Sequence, residues 1–495
     1  MKRYSIIISA ALALMAGCTG IPDASTESDY SPSIFPDYTD VVIPSNIAPL
    51  NFRIEEKGQK FVTVLTGGTE KVVIGGEKVI IPLRKWDRLK QNGQIGVKVY
   101  VRNDGKWNSY REFSITASDM IDRYIAYRLI MPSVECYERL SINQRDITSF
   151  DEKVIYANQM VQHGESGQCI NCHHFRNYSS GNMQFHMRQY LGGTILVTDG
   201  QLHKINLKTD STISAGVYPA WHPTHDYIAY STNKTHQSIH AIDPNRLEVA
   251  DEESDLILYD IRNRKVSIIE NDPMEFECFP AWSPDGRMLY YVSAHYEAPF
   301  DSHRRDRVFI ESRGIKYDLY RKSFDPDTRT WGRSELLFKA SDHNLSATLP
   351  RVSPDGLWLM FSAAPYGVFH IWHRESELWM MNLQDGSIRC VEELNSPEVE
   401  SYHSWSSNGK WVIFSTRRED GAYTRLYIAH RNEDGTFSKP FTLPQRDPDF
   451  NRAFMYSFNI PEFIKEPVRI KPKEFASFIL SAPTIQSGFE SKKGE

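Results

Sequence analysis

Long apolar runs are scarce in this chain of 495 residues: beyond Met15 no stretch approaches the 18 consecutive apolar residues of a membrane-spanning helix. The body is therefore expected to be soluble. Cysteine is scarce too, with 6 in all, which excludes the disulfide framework of small secreted domains. Neither sign of charge dominates: 57 Lys and Arg stand against 63 Asp and Glu, and a net charge of −6 argues against nucleic acid as a partner. G-x-S-x-G, H-E-x-x-H, a phosphate-binding loop and a paired-carboxylate pattern are all missing, so nothing points to hydrolysis.

What is present begins with five residues, Cys169-Ile170-Asn171-Cys172-His173. C-x-x-C-H is the signature for covalent attachment of a c-type haem. Two thiols three positions apart can each add to a haem vinyl group, and the following histidine can reach the iron. Cys169 and Cys172 are the candidate thioether residues, and His173 the candidate proximal ligand. A redox pair, half a zinc site and a disulfide are the competing readings. A redox pair would sit at a strand-to-helix step, and no βαβ pattern surrounds this one. A zinc site would need a second ligand pair, and none has matching spacing.

Haem attachment requires export, and the N-terminus offers it. Lys2 and Arg3 precede an apolar stretch from Tyr4 to Met15, and Leu14-Met15-Ala16-Gly17-Cys18 ends it with small residues. This resembles a bacterial lipoprotein signal, which implies lipidation of Cys18 and anchorage to a membrane of the bacterial cell envelope. Met15 departs from the commoner residue at its position. The expected boundaries are a signal peptide at 1–17 and a Ser-, Asp-, Pro- and Thr-rich tether at 18–34. Cys136, Cys278 and Cys390 then remain as buried thiols, unless one pair bridges.

The length predicts two to four domains. Residues 35–135 read as short alternating strands broken by Gly67-Gly68, Gly75-Gly76 and Asn103-Asp104-Gly105, the pattern of a small β-sandwich. Further on an internal repeat appears. Its members are Tyr218-Pro219-Ala220-Trp221-His222-Pro223, Phe279-Pro280-Ala281-Trp282-Ser283-Pro284-Asp285-Gly286, Leu349-Pro350-Arg351-Val352-Ser353-Pro354-Asp355-Gly356 and Tyr402-His403-Ser404-Trp405-Ser406-Ser407-Asn408-Gly409. The period is 53 to 70 residues. In each an aromatic or apolar strand enters, a tight turn follows and an apolar strand returns, which describes a propeller blade.

These repeats resemble the β-propeller of TolB-like proteins. The expected fold class is all-β: an N-terminal sandwich, a short haem-binding segment at 136–190, a propeller at 191–465 and a C-terminal extension at 466–495. Five blades are recognisable, the fifth assembled from residues 194–207 and 454–460, and six are possible because TolB-like propellers commonly have six.

A haem has a second axial face, and its ligand is sought in Asn182-Met183-Gln184-Phe185-His186-Met187-Arg188. Resemblance to haem-bearing TolB-like lipoproteins favours His186, with Met183 second. Met183, Phe185 and Met187 also fit one apolar face of a strand. Arg176 and Arg188 are candidate partners for haem carboxylates. Two long insertions, 232–254 and 293–316, occupy equivalent blade positions and should crowd together with His236, His240, His295, His303, Arg304, Arg305 and Asp306; a hydrophilic surface is the plainer reading.

Together these features lead to the expectation of an envelope-anchored mono-haem cytochrome. It would carry one covalent haem c packed between two domains, transfer electrons and dock a redox or envelope protein partner on its propeller. A TolB-like binding protein with a structural haem, and a haem enzyme or sensor with an open distal position, are the alternatives.

Overall fold

The computed structural model describes residues 20–131, 139–164 and 166–491. The expected signal peptide at 1–17, Cys18 and Cys136 lie outside the described residues. Within them the fold is all-β, a sandwich-like N-terminal unit followed by a six-bladed propeller.

In the N-terminal unit a seven-stranded sheet faces a three-stranded one. Its central strand, Gln94–Asn103, alternates strictly, burying Ile95, Val97, Val99 and Val101. Asp104 and Gly105 both adopt positive φ (48° and 79°), as a two-residue hairpin turn requires for its twist to match the strands. The helix Leu83–Leu89 buries Trp86 and Leu89 against this core. The same core continues into the propeller through Trp411, Ile413, Leu426 and Phe458, so the two units share one apolar interior.

Six four-stranded units form the propeller. Their innermost strands are Gln168–Phe175, Val217–Trp221, Glu275–Trp282, Ser346–Val352, Glu400–Trp405 and Ser457–Ile464, which define blades 1 to 6. Blade 6 takes its innermost strand from the C-terminal part of the chain and its other three, Tyr124–Ile130, Ser141–Asp146 and Glu152–Ala157, from before blade 1. This closure joins the ring with antiparallel ladder bonds and leaves no open end.

Each innermost strand carries the same irregularity. The pairing register slips at Cys172-His173, Tyr218-Pro219, Phe279-Pro280, Leu349-Pro350, Tyr402-His403 and Ile460-Pro461. The first residue of each pair has a positive φ between 44° and 54°. Such bulges swing two consecutive side chains toward one place, here the central channel.

The repeat is legible in its bonds. Ser283 Oγ donates to Asp285 Oδ1 (2.5 Å), which also accepts from the Arg287 N–H (3.0 Å), and Gly286 supplies φ +72°. Trp282 Nε1 donates to the Ala220 carbonyl of the preceding blade (3.0 Å), as Trp405 Nε1 does to Arg351 (3.2 Å). Thus the tryptophan of the repeat clasps neighbouring blades. In the departing first repeat, His222 Nδ1 takes the place of the serine oxygen, accepting from the N–H groups of Thr224 and His225.

The structure draws several boundaries differently from the sequence. The sandwich ends at Ser118 and the propeller runs from Tyr124 to Ile464. Residues 136–190 form no connector: they contribute the outer strands of blade 6 and the two inner strands of blade 1. Residues 194–206 are the outer half of blade 1, whereas 457–464 are the innermost strand of blade 6, so the expected fifth blade combines parts of two different blades. In the C-terminal extension, the helix Pro472–Ser481 buries Phe475 and Ile479, and the short strands Ile485–Gln486 and Gly488–Phe489 cover the outer edges of blades 1 and 2.

Candidate functional site

The six bulges form a waist where the channel narrows. Cys172, Tyr218, Phe279, Leu349, Tyr402 and Ile460 ring a space of about 30 Å³. Cys172-His173 stands where blades 2, 3, 4 and 6 carry an aromatic or aliphatic residue followed by Pro and blade 5 carries Tyr402-His403, so the haem-like motif overlies the repeat itself. The strand before the bulge faces one mouth of the channel, the cysteine-side mouth; the strand after it faces the other, the tryptophan-side mouth.

The cysteine-side mouth is a cavity of about 500 Å³. Its floor holds Cys172, and its side holds Asn171, His186 and Arg188 of blade 1 with Arg128 of blade 6. Antiparallel pairing puts Cys169 opposite Arg188 and Asn171 opposite His186, all on the mouth face, while Ile170 and Met187 face the core. Asn171 receives a hydrogen bond from Arg128 Nη1 and donates to the Cys169 thiol (3.2 Å). Phe369, Ile371, Trp372, Val217 and Leu247 supply an apolar wall. The insertions do crowd here: the hairpin of Tyr227–Ile239 and Leu247–Asp260 lines the mouth, and the helix Arg304–Glu311 packs behind it.

Among the residues named from sequence, Cys169 and Cys172 are free thiols. His173 is 2% exposed; neither ring nitrogen makes a hydrogen bond of good geometry, and the Ile460 backbone is a weak polar partner. Burial first, and the Arg128 charge second, push its pKa down to about 3. His186 lies in the mouth, its Nδ1 within 3.1 Å of Thr194 Oγ1, and burial lowers its pKa to about 4. Met183 is fully buried in the blade 1 core beside Phe185 and Met187 and does not reach the mouth, so the second-choice axial ligand is excluded. Arg176 is committed elsewhere, donating to Asp226 Oδ1 (3.0 Å), whereas Arg188 lines the mouth.

In the insertions, Arg304 is buried and donates to the Glu252 and Ala298 carbonyls, Arg305 donates to His236 Nδ1 (2.8 Å), and His240 stacks on Phe309. His295 pairs with Glu275 (2.9 Å). They act as walls and braces. Cys278 and Cys390 are free and do not bridge. Sequence reasoning missed Arg128 because it belongs to the site only through blade register.

No protein-family model matches the chain, and no curated protein does. Among solved structures the chain is similar to a prolyl endopeptidase at 14% identity, covering 64% of this chain and 42% of that one with a TM-score of 0.35. It is similar to the apocarotenoid oxygenase of Synechocystis at 12% identity, covering 86% and 95% with a TM-score of 0.37. It is also similar to the β-propeller domain of the Trilobed protease from Pyrococcus furiosus at 10% identity, covering 71% and 94% with a TM-score of 0.28. The chain spans half or less of the length of the prolyl endopeptidase and of a puromycin-hydrolysing peptidase of Mycobacterium tuberculosis. At these identities the likeness concerns fold alone.

The expected function requires correction. An electron-transferring cytochrome rested on a haem clasped by a short connector between two domains, and the structure has no such place: the motif is the innermost strand of a propeller blade. Its histidine points into a waist of about 30 Å³, and among the described residues no group of three or more His, Cys, Asp or Glu side chains is arranged to hold a metal ion. What borders the cysteine-side mouth is one thiol, Cys172, with Asn171, His186 and two arginines, Arg128 and Arg188; Cys169 packs against the blade 1 core and His173 lines the waist.

Proposed function

We propose that the protein is a binding propeller of TolB-like kind whose cysteine-side mouth takes a flat, apolar ligand carrying carboxylates. One observation supports this above the others: the cavity of about 500 Å³ combines an aromatic and aliphatic wall with two arginines, Arg128 and Arg188. Apolar walls reward burial of a ring system, and guanidinium groups in a partly desolvated site bind carboxylates by charge-assisted hydrogen bonds. The blade insertions that roof the mouth fit a site whose occupant is enclosed.

A covalent haem c is the cofactor proposal that accompanies this reading. Cys169 and Cys172 would hold its vinyl carbons, His186 would face its metal from the mouth, Arg128 and Arg188 its carboxylates, and His173 would have to turn out of the waist to reach the metal. A bound haem would supply iron-centred redox chemistry at the mouth. The chain's own residues orient it, exclude water through Phe369, Ile371 and Trp372, and neutralise its charge. Lipid on Cys18 would tether the propeller in the bacterial envelope, where a protein partner could meet it.

The test uses the full chain made without haem-attachment machinery and mesoporphyrin, a metal-free dicarboxylic macrocycle. Titration should quench tryptophan fluorescence, and most of the quenching should vanish in Trp372→Phe. Each of Arg128→Gln and Arg188→Gln should weaken binding about tenfold, the equivalent of one charge-assisted hydrogen bond. Unchanged affinity in both variants would overturn the proposal. For the cofactor, co-expression with attachment machinery should add the mass of one haem, lost in Cys169→Ala/Cys172→Ala; an unmodified mass would remove haem and leave the non-covalent site standing on the first test.

A further inference from the structure

The opposite mouth has a design of its own. Two positions beyond each bulge residue, the six blades present His174, Ala220, Ala281, Arg351, Ser404 and Glu462, and all six line a cavity of about 410 Å³. A ring of equivalent positions would carry similar residues if it served closure alone. Here blades 2 and 3 contribute alanines, leaving open space, while blades 1, 4 and 6 contribute three ionisable groups.

These groups are poorly satisfied. Glu462 is 8% exposed; its Oε2 has no hydrogen-bond partner of good geometry, its Oε1 lies 3.8 Å from His174 Nε2, and the Phe175 N–H and the Arg351 charge give its carboxylate only partial support against burial. His174 Nδ1 is likewise buried without a partner. Arg351 belongs to blade 4, across the ring from blade 1, and among the described residues its guanidinium makes no hydrogen bond or ion pair. Its carbonyl is the part engaged, by Trp405. Polar atoms buried without partners in a cavity of this size are unusual, because each forfeits the hydrogen bonds it had in water. Ligand groups can restore them. Around the ionisable groups stand Phe175, Trp221 and Trp282, an apolar surround that would favour a ligand with an aromatic or aliphatic part.

We propose that the tryptophan-side mouth is a second binding site, for a carboxylate with an adjacent amide N–H, as in an N-acyl amino acid or a polypeptide C-terminus. Arg351 takes the carboxylate through its two-pronged donor set, and Glu462 accepts from the amide N–H. Ala220 and Ala281 leave room for the side chain. The site shares no ionisable residue with the cysteine-side mouth, so neither proposal depends on the other.

Calorimetric titration of the full chain tests it with three probes. N-acetyl-L-phenylalanine carries both groups, its carboxamide lacks the carboxylate, and 3-phenylpropionate lacks the N–H. The acid should bind at least tenfold tighter than either control. Arg351→Gln should erase the preference over the carboxamide, and Glu462→Leu the preference over 3-phenylpropionate. Ala281→Phe, which fills the open side without touching a polar group, should block all three. A tetrapeptide ending in a free phenylalanine carboxylate separates the two sources: binding equal to the N-acetyl acid identifies a chain terminus, and exclusion identifies a small molecule. Equal affinity for acid and carboxamide, or an acid preference surviving Arg351→Gln in a variant with unchanged near-ultraviolet circular dichroism, would overturn the proposal.

Discussion

His173→Pro is expected to stabilise the haem-free protein, an unusual outcome for a buried polar residue in a signature motif. At the equivalent bulge position blades 2, 3, 4 and 6 carry Pro219, Pro280, Pro350 and Pro461, so the backbone there tolerates a fixed φ and needs no N–H. The ring nitrogens of His173 are buried with no hydrogen bond of good geometry, the Ile460 backbone being a weak partner at best, and leaving a polar group so placed costs about 1–3 kcal/mol. Proline at a compatible site adds about 0.4–1 kcal/mol by restricting the unfolded chain. Set against some lost ring packing, the gain should be about 1–3 kcal/mol. In a chain this long each kcal/mol moves the thermal midpoint by about 2 °C or less. Differential scanning calorimetry of the chain made without haem should therefore show a rise of a few degrees. His403→Pro is the control: His403 Nε2 is bonded to the Met360 carbonyl (2.9 Å), so the same exchange there loses a hydrogen bond and should gain nothing. If His173→Pro lowers the midpoint by the equivalent of 1 kcal/mol or more, blade 1 does not share the repeat's bulge and the reasoning fails.

Three further outcomes follow from the same structure. Glu277 is buried, and burial first, with Asp255 beside it second, raises its pKa from 4.5 to about 9. The native state then holds this proton more tightly than the unfolded chain, so its contribution is complete below about pH 4.5 and is lost as pH rises through 9; Glu277→Gln should flatten that alkaline decline in urea midpoints. A Cβ at Gly286 would lie 2.2 Å from the His222 ring, whereas one at Gly386 meets nothing within 4 Å, although their φ values are 72° and 76°. Gly286→Ala should thus lower the thermal midpoint well beyond Gly386→Ala, the excess isolating the blade 2 to blade 3 clash. Arg425 is 1% exposed and donates to the carbonyls of Tyr456, Asn451 and Phe454, which hold the segment entering the last strand. Arg425→Leu strands those acceptors, should destabilise by about 3 kcal/mol or more, and should speed proteolysis around residues 450–456.

The sequence reveals the propeller because its turns are built by local chemistry. Ser283 with Asp285 and Ser353 with Asp355 each bond within two residues, so the blades bearing them announce themselves. Blade 6 stays hidden because its innermost strand lies some 300 residues from the other three and neither part carries the turn signature. Blade 1 stays hidden because Cys172-His173 replaces the aromatic-proline pair at the bulge, and the five-residue motif draws attention from the strand that contains it. The cysteine-side mouth is partly legible: Cys169, Cys172, His186 and Arg188 share a strand pair. Arg128 comes from 40 residues earlier, and only ring closure brings it to that pair. Met183 fails as a ligand for a plain reason of period two, since Asn171 and His186 on the mouth face put Met183 and Met187 on the core face.

Hydrogen exchange with and without mesoporphyrin, read by mass spectrometry on the full haem-free chain, tests the binding account most directly. Added ligand should slow exchange in residues 168–175, 233–249 and 366–373, the three walls of the cysteine-side mouth, and leave the sandwich at 60–118 unchanged. Protection confined to the contact between sandwich and propeller, or none at all at saturating ligand, would contradict it.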